Sequence, residues 1–242
     1  MSKLTLYDLP SKGHCRCWSL NPWKTRLALN FKNIDYKTEW IEYPDIASRL
    51  SPHVAPNPKT DSPSWAAYTI PAVQFPDSTY IMESQAIAER LEKDYPTPSL
   101  HLDCPFLPKV QALLPEILKP LGGLWQPAVP NNLLNPSSKE YFERTRAERL
   151  GKSLTQFAQE SGGEEAWVAA LPKLKELGGL LKGKGGPFVL GKTPAYADFV
   201  IVGWLQFFKA IDEKLFERVV SVEPAFGTLY DASKQWVERD DH

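Results

Sequence analysis

Along the first 96 residues, the spacing of hydrophobic positions alternates between one typical of strands and one typical of helices. Residues 3–9 (KLTLYDL) and 35–43 (DYKTEWIEY) alternate polar and apolar positions, which predicts two short strands. Between them, residues 21–32 (NPWKTRLALNFK) place Trp23 and Leu27 four positions apart, followed by Phe31 at the same interval. Because this spacing repeats one face of an α-helix, the segment is predicted to be helical.

A proline-rich stretch separates this unit from a second one. Residues 51–65 (SPHVAPNPKTDSPSW) predict a long loop, with a short helix before it at 45–51. Residues 68–82 predict two strands joined by the turn FPDST. Residues 83–96 predict a helix with Ile87 and Leu91 on one face. The predicted order is therefore βαβ, a long loop, then ββα.

The second half of the chain has a different pattern. Beyond the segment TPSLHLDCP no convincing strand is predicted, and the helical patterns fall at residues 137–160, 164–182, 196–212 and 225–240. A mixed α/β unit followed by a helical unit predicts two domains, at residues 1–97 and 105–242, joined by a proline-containing linker.

Composition and charge narrow the functional classes. Hydrophobic residues make up 43% of the 242 residues and the net charge is −1, so no strong field indicates nucleic acid or an anionic membrane as a partner. No apolar run reaches the ~18 residues of a membrane span, and no signal peptide is predicted. Three cysteines, an odd number, fit a reducing compartment, so a cytoplasmic location is expected.

The segment CRCWSLNPWKTR, residues 15–26, carries the candidate chemistry. Cys15 and Cys17 are spaced C-x-C and precede the helix, whereas thioredoxin-type chemistry requires C-x-x-C at a helix start. A metal site would need a fourth ligand beside these thiols and His14, and Cys104 stands alone in the linker. Neither a redox motif nor a metal site is therefore expected.

Ser19 is the more informative residue of this segment. Asn21 and Pro22 have the residue types expected at an N-cap and first helical position. That places Ser19 two residues outside the helix, where its hydroxyl is free to face a ligand. The positive end of the helix dipole favours an anion there.

The order of elements, with YTIPAV before the third strand and ES opening the third helix, resembles the glutathione-binding half of cytosolic glutathione transferases. The phrases W-S-x-N-x-W-K-T-R-x-A-L-N and Y-K-T-E-W-I-E-Y-P-D-I are similar to fungal class A transferases of wood-degrading fungi, relatives of the bacterial β-aryl etherases. The resemblance implies a thioredoxin-like N-terminal domain, an all-α C-terminal domain and a homodimer.

The resemblance also assigns roles to residues. Ser19 would donate a hydrogen bond to the bound glutathione thiol, and such a bond of roughly 1.5–3 kcal/mol would lower the thiol pKa by about one to two units. Ile70-Pro71 would be a cis-proline whose Ile70 backbone pairs with the cysteinyl part of glutathione. Glu83 would bind the γ-glutamyl ammonium, and Ser84 its carboxylate.

The sequence constrains the contacts to the glycyl carboxylate and to the electrophile less closely. Lys59 is the candidate for the glycyl carboxylate, with His53 or Trp65 as substitutes. The electrophile is expected between the two domains, facing the first turn of the first helix, and the aromatic walls expected around it are Trp18, Tyr43 and Trp125.

One position departs from the family pattern and concerns stability. Family members place Ser or Thr three residues before the aspartate that corresponds to Asp198, whereas this chain has Ala195. The reciprocal helix cap is therefore in doubt unless Thr193 substitutes, at a cost of about 0.5–2 kcal/mol.

Three functions are compatible with the sequence. The leading one is an enzyme whose bound glutathione thiolate attacks a hydrophobic, aromatic electrophile or a peroxide, in a detoxification role, with cleavage of a β-aryl ether as a variant. The second is a non-catalytic carrier of aromatic wood-derived compounds. The third is a thiol transferase working through Cys17. No metal, nucleic acid or membrane is expected in any of them.

Overall fold

The computed structural model describes residues 3–62 and 65–241, so Met1, Ser2 and His242 lie outside it, as do Pro63 and Ser64 of the predicted long loop. The chain begins with strand β1 (Leu4–Asp8), helix α1 (Leu20–Phe31) and strand β2 (Tyr36–Trp40). β1 and β2 pair in parallel. β1, α1 and β2 thus form a βαβ unit, as the spacing of hydrophobic positions predicts.

After β2 come a 3-10 helix (Tyr43–Asp45) and the short helix α2 (Ile46–Leu50). The long loop leads to strands β3 (Ala72–Gln74) and β4 (Tyr80–Met82) and then to helix α3 (Ser84–Asp94). β3 pairs antiparallel with both β1 and β4, which gives a mixed sheet in the order β2-β1-β3-β4. This arrangement confirms the predicted thioredoxin-like first half.

The second half contains helices joined by turns and loops, and among its described residues the β structure is limited to an isolated bridge between Phe188 and Gly191. Its helices are α4 (Leu107–Leu118), α5 (Gly122–Asn132), α6 (Pro136–Leu150), α7 (Leu154–Ser161), α8 (Glu164–Lys182), α9 (Tyr196–Ile211), α10 (Glu213–Val222), α11 (Ala225–Ala232) and α12 (Lys234–Val237). The predicted all-α second half is confirmed. The predicted linker falls in the turn-rich segment between α3 and α4.

The observed helices differ from the predicted ones in three places. The pattern at residues 225–240, predicted as one helix, is divided at Ser233 into α11 and α12, which ends at Val237. The pattern at residues 137–160, predicted as one helix, is divided into α6 and α7 because Gly151 adopts φ 67°, a conformation that ends a helix. The sequence did not predict α4 and α5, which contain internal prolines, or α10. Packing of their buried faces compensates for the weak local preference.

Helix α9 forms the centre of the second half. It is buried nearly all round, as its apolar sequence predicts, and it packs against α1 of the first half. At Gly203 the two helices approach closely, because a Cβ atom there would lie 3.1 Å from the Leu20 carbonyl oxygen. The start of α1 is therefore fixed against the core of the second half. No described helix has both the length and the apolar character that crossing a membrane requires.

Candidate active site

A cleft of about 570 Å³ opens between the α/β half and helix α6. It is lined by Leu9, Ser19, Asn21, Tyr43, Pro44, Ile46, Ala47, Trp65, Ala66, Ala67, Tyr68, Thr69, Ile70, Pro71, Glu83, Tyr141, Arg146 and Arg149. The structure therefore brings together five of the predicted site residues, which are Ser19, Tyr43, Ile70, Pro71 and Glu83.

Ser19 lies at the N-cap of α1 rather than two residues before it. The helix begins at Leu20, two residues earlier than the predicted first helical position Pro22, and Ser19 has the extended backbone typical of an N-cap, with φ −81° and ψ 137°. The Asn21 side chain does not cap the helix, because its oxygen accepts a hydrogen bond from the Lys24 ammonium at 2.8 Å.

The Ser19 hydroxyl is nevertheless free. It makes no capping bond, and it has no other hydrogen-bond partner among the described residues. The first turn of α1 contains no acidic residue that would offset the positive end of the helix dipole. A half-buried hydroxyl beside an uncompensated helix N-terminus is suited to an anionic ligand.

The Ile70–Pro71 segment presents free backbone to the same cleft. The peptide bond between these residues is cis, as the resemblance implies. Neither backbone polar group of Ile70 is hydrogen-bonded within residues 3–62 and 65–241. An extended peptide can therefore pair with this segment in the manner of an added strand.

Glu83 is held in place by two residues of the long loop. Its Oε1 accepts hydrogen bonds from Thr69 Oγ1 at 2.5 Å and from Asn57 Nδ2 at 3.1 Å. The Glu83 backbone has φ 71°, a conformation that costs a non-glycine residue on the order of 1–3 kcal/mol. Glu83 lines the cleft, where its carboxylate can accept from a cationic group of a ligand. Sequence reasoning missed Thr69 and Asn57, because the path of the loop is not visible in the pattern.

Tyr43 forms an aromatic wall together with Tyr141 of α6. The two rings stack with centroids 5.9 Å apart and planes 7° from parallel. Burial raises the pKa of Tyr43 to about 12, an effect that the charge of Arg146 partly opposes. The phenol is therefore neutral near pH 7 and offers a flat, uncharged face. Tyr141 was not among the predicted residues, because only the fold brings α6 to this cleft.

Trp18 and Trp125 do not line the cleft, contrary to expectation. Trp18 is only 1% exposed, and its indole N–H donates to the Pro10 carbonyl at 3.1 Å. Trp125 lies within α5, and its indole N–H donates to the Leu118 carbonyl at 3.0 Å. Both rings pack against Phe207 of α9. Both rings are therefore largely packed into the core and do not face the Ser19 cleft, although Trp18 lines a separate cavity of about 510 Å³ together with Cys17 and Gln206.

Lys59 and Ser84 are also absent from the lining. Lys59 is exposed on the long loop, whereas Trp65, one of its suggested substitutes, lines the cleft and donates its indole N–H to the Pro58 carbonyl. Ser84 is half-buried as the first residue of α3, directly after Glu83. The other substitute, His53, stacks on Tyr80 with ring centroids 4.2 Å apart.

Cys17 is buried beside an ion pair. Asp8 at the end of β1 and Arg26 of α1 are fully buried and pair at 2.9 Å. Burial raises the pKa of the adjacent Cys17 thiol well above its usual value, and Asp8 adds to the rise. Since thiol exchange requires an accessible thiolate, Cys17 is poorly suited to it. Asp8 also accepts the Leu9 N–H at 2.7 Å, which fixes the backbone where the chain enters the cleft.

Two arginines of α6, Arg146 and Arg149, complete the lining. No sequence pattern singles them out, since they lie more than 120 positions from Ser19 and on a helix with many other charges. Within the described part of the chain, no group of His, Cys, Asp and Glu could hold a metal ion.

Family models match both halves of the chain. The model described as "Glutathione S-transferase, N-terminal domain" matches residues 18–94, and the model described as "Glutathione S-transferase, C-terminal domain" matches residues 110–232. The chain belongs to the glutathione S-transferase family. The transferase's residues Ser19, Ile70 and Glu83 all lie within the first of these matches.

The similarity to known proteins extends over nearly the full length of this chain. The glutathione S-transferase-like protein ustS of Aspergillus flavus is 32% identical, with 98% of this chain and 92% of that protein covered. The structure of glutathione transferase GSTFuA3 of Phanerochaete chrysosporium superposes with a TM-score of 0.85 at 29% identity, covering 98% of each chain. A glutathione S-transferase of Ceriporiopsis subvermispora, solved in complex with glutathione, gives 0.83 at 31%, covering 97% of this chain and 98% of that one.

These comparisons confirm the family resemblance drawn from the two sequence phrases. GSTFuA3 is a glutathione transferase of the fungal group that the phrases indicated, and the relative from Aspergillus flavus is described as glutathione S-transferase-like. The chain is therefore an enzyme of this family, built on the glutathione transferase fold.

Proposed function

We propose that this transferase binds glutathione in the cleft and holds its thiol as a thiolate through the Ser19 hydroxyl. The observation that carries the proposal is that Ser19 occupies the N-cap of α1 without using its hydroxyl as a cap. That hydroxyl has no described partner, and it lines the cleft beside Ile70 and Glu83. A donor in this position favours the charged form of a bound thiol.

The tripeptide would run along the α/β half of the cleft. Its cysteinyl backbone would pair with the free N–H and C=O groups of Ile70, next to Pro71. The γ-glutamyl ammonium would lie against Glu83, which Thr69 and Asn57 orient, and its carboxylate at Ser84 and the start of α3. Lys59 lies outside the cleft lining, so the proposal assigns it no contact.

The reaction would then be a displacement by sulfur. The thiol proton leaves to solvent, the thiolate forms an S–C bond with an electrophilic carbon, and the leaving group departs with the electron pair of the broken bond. Ser19 donates to the sulfur throughout and forms no covalent bond. Catalysis comes from proximity and from an ionised nucleophile, and no metal takes part.

The second substrate would be aromatic, because the stacked rings of Tyr43, from the α/β half, and Tyr141, from α6, both line the cleft. Attack on the carbon that carries an aryl ether would expel a phenolate. Attack on a peroxide oxygen would give a sulfenyl derivative of glutathione and an alcohol. The leaving group belongs to the substrate, so the same residues serve each variant.

Replacement of the hydroxyl tests the proposal. Ser19→Ala is expected to lower kcat/KM for glutathione conjugation about ten- to a hundredfold, equivalent to about 1.4–2.7 kcal/mol of transition-state stabilisation. Ser153→Ala is the matched control, because Ser153 is also an N-cap serine but bonds the Gln156 N–H at 3.1 Å. That variant should lose about 1 kcal/mol of stability and keep its activity. Unchanged turnover in Ser19→Ala would contradict the proposal and favour a carrier of aromatic compounds.

A further inference from the structure

We propose that Arg146 and Arg149 form an anion subsite in the helical half of the cleft, which selects an aromatic ligand bearing a carboxylate. This inference rests on the proposed function, because it names the class of molecule that meets the bound thiolate. Both arginines lie on the face of α6 that lines the cleft, one helical turn apart.

Arg146 lies against aromatic rings rather than against a carboxylate. Its guanidinium carbon is 4.1 Å from the centroid of the Phe142 ring and 5.5 Å from that of Tyr43. Its Nη1 donates to the Thr145 hydroxyl at 2.9 Å. The remaining N–H donors of this half-buried guanidinium have no described acceptor.

The absence of an ion pair distinguishes these two arginines from a third on the same helix. Arg144, two residues before Arg146, pairs with Glu140 at 3.2 Å and with Glu148 at 3.5 Å. Neither Arg146 nor Arg149 has a carboxylate partner in residues 3–62 and 65–241. Glu83 is the one carboxylate in the described lining, and residues of the α/β half hold it.

Because the two arginines have no carboxylate partner, their charges favour binding of an anion. Burial lowers the pKa of the Arg146 guanidinium, and the charge of Arg149 lowers it further, although an arginine stays protonated at neutral pH. An incoming anion would offset both effects. Arg149 lies in the last turn of α6, where a cation also complements the helix dipole, so Arg146 is the more diagnostic of the two.

The shape of the subsite favours a planar anion. A guanidinium presents paired N–H donors that match the two oxygens of a carboxylate. The Tyr43 ring lies beside the Arg146 guanidinium and stacks with Tyr141, so this pair of rings can contact an aryl group whose carboxylate meets Arg146. The carboxylate could belong to the electrophile or be the glycyl carboxylate of glutathione, and two arms of one experiment distinguish these sources.

The first arm compares two electrophiles with the same leaving group. In 4-chloro-3,5-dinitrobenzoate and its benzamide, the glutathione thiolate forms a C–S bond and chloride leaves with the C–Cl electron pair. Arg146→Met is expected to lower kcat/KM about tenfold or more for the benzoate, as loss of a charge-assisted bond implies, and less than twofold for the benzamide. Arg144→Met, the matched control, should leave both unchanged.

The second arm uses the benzamide and compares glutathione with its glycyl ethyl ester. A loss in Arg146→Met confined to unesterified glutathione would overturn the assignment to an aromatic ligand, because Arg146 would then bind the glycyl carboxylate. Equal losses for every substrate, or no loss for any, would overturn the proposal, provided that the thermal unfolding of the variant matches that of Arg144→Met. If the wild type converts neither electrophile, the proposed function fails, and calorimetric binding of unreactive 3,5-dinitrobenzoate against its amide decides the subsite independently.

Discussion

Two serines of this chain occupy helix N-caps and use their hydroxyls differently. Ser153 accepts the Gln156 N–H in the ordinary way, whereas Ser19 leaves its hydroxyl uncommitted at the start of α1. A capping hydroxyl is normally worth about 1 kcal/mol to a protein, and that stabilisation is forgone at Ser19. Because its hydroxyl has no partner among the described residues, Ser19 is the candidate for thiol activation.

Lys24 should make stability depend on pH. Burial lowers its pKa to about 8, partly opposed by Glu83, whereas an unfolded lysine titrates near 10.4. Below pH 8 the folded protein therefore carries a charge that burial disfavours, and this cost disappears as pH rises toward 10. The free energy of unfolding should rise by about 1–2 kcal/mol between pH 8 and 9.5.

Chemical denaturation across this pH range measures the effect. Lys24→Met removes the titrating group and should flatten the rise, leaving other residues to set the slope. Parallel profiles for the wild type and the variant would contradict the assignment.

The predicted residues that line the cleft stand at helix or strand termini of the first half. Ser19, Ile70-Pro71 and Glu83 all lie within the first 84 residues, and the family resemblance rather than spacing singled out the last two positions. Arg146 and Tyr141 were missed because only tertiary packing brings α6 to the cleft. Trp18 was misplaced because one side of a turn cannot be told from the other before the core is known.

At the scale of elements, α9 has only half of a capping box. Asp198 accepts the Ala195 N–H and the Val189 N–H, each at 2.8 Å, while Ala195 has no side-chain acceptor for the helix. Of the reciprocal cap that the sequence left in doubt, the structure therefore shows only the half in which the Asp198 carboxylate accepts. Thr193 makes no described bond that would replace the missing half.

Two substitutions at this cap should act in opposite directions. Ala195→Ser supplies the missing acceptor and should raise the free energy of unfolding by about 0.5–1 kcal/mol. Asp198→Ala leaves two buried N–H groups without acceptors and should lower it by about 2–4 kcal/mol, while Asp103→Ala, on an exposed turn, should be neutral. Urea denaturation measures all three, and a destabilised Ala195→Ser would show that the site lacks room for a hydroxyl.

Helices were predicted correctly where their apolar residues follow a clear helical spacing, and they were missed where internal prolines oppose a helix. α3 and α8 follow clear apolar spacing and were predicted nearly to the residue. α4 and α5 were not, because Pro115, Pro127 and Pro130 oppose a helix locally. Their buried residues, such as Ile117 and Val129, show that packing against α9 and its neighbours supplies the missing stability.

At the scale of the whole molecule, the contact between α1 and α9 couples the two halves. A side chain at Gly203 would meet the Leu20 carbonyl oxygen at 3.1 Å and the Trp23 Cβ at 3.3 Å, directly behind Ser19. Gly203→Val should therefore push the start of α1 away and cost about 1–3 kcal/mol of stability. It should also lower kcat/KM for conjugation, because the displaced turn carries the hydroxyl.

Gly179 of α8 provides the control for this prediction. It is a helical glycine with no atom near its Cβ position, so Gly179→Val should change neither activity nor stability by much. Thermal unfolding and steady-state kinetics on both variants separate the two cases. Full activity in Gly203→Val would show that α9 does not position the site.

The two-part architecture was predictable, because the change from mixed periods to helical periods is a property of long stretches of sequence. The manner in which the halves meet was not, since Gly203 and the burial of Trp18 and Trp125 against Phe207 depend on contacts distant in sequence. The homodimer expected from the resemblance stays a prediction that sedimentation of the purified protein can check.

The most direct measurement is a titration of the enzyme-bound glutathione thiol by its ultraviolet absorbance. With Ser19 present, the bound thiol should ionise about one to two units below the ~8.5 of a free thiol, and in Ser19→Ala it should return toward that value. Identical titration curves for the two proteins, each saturated with glutathione, would contradict the account, because the sulfur would then be ionised without help from this alcohol.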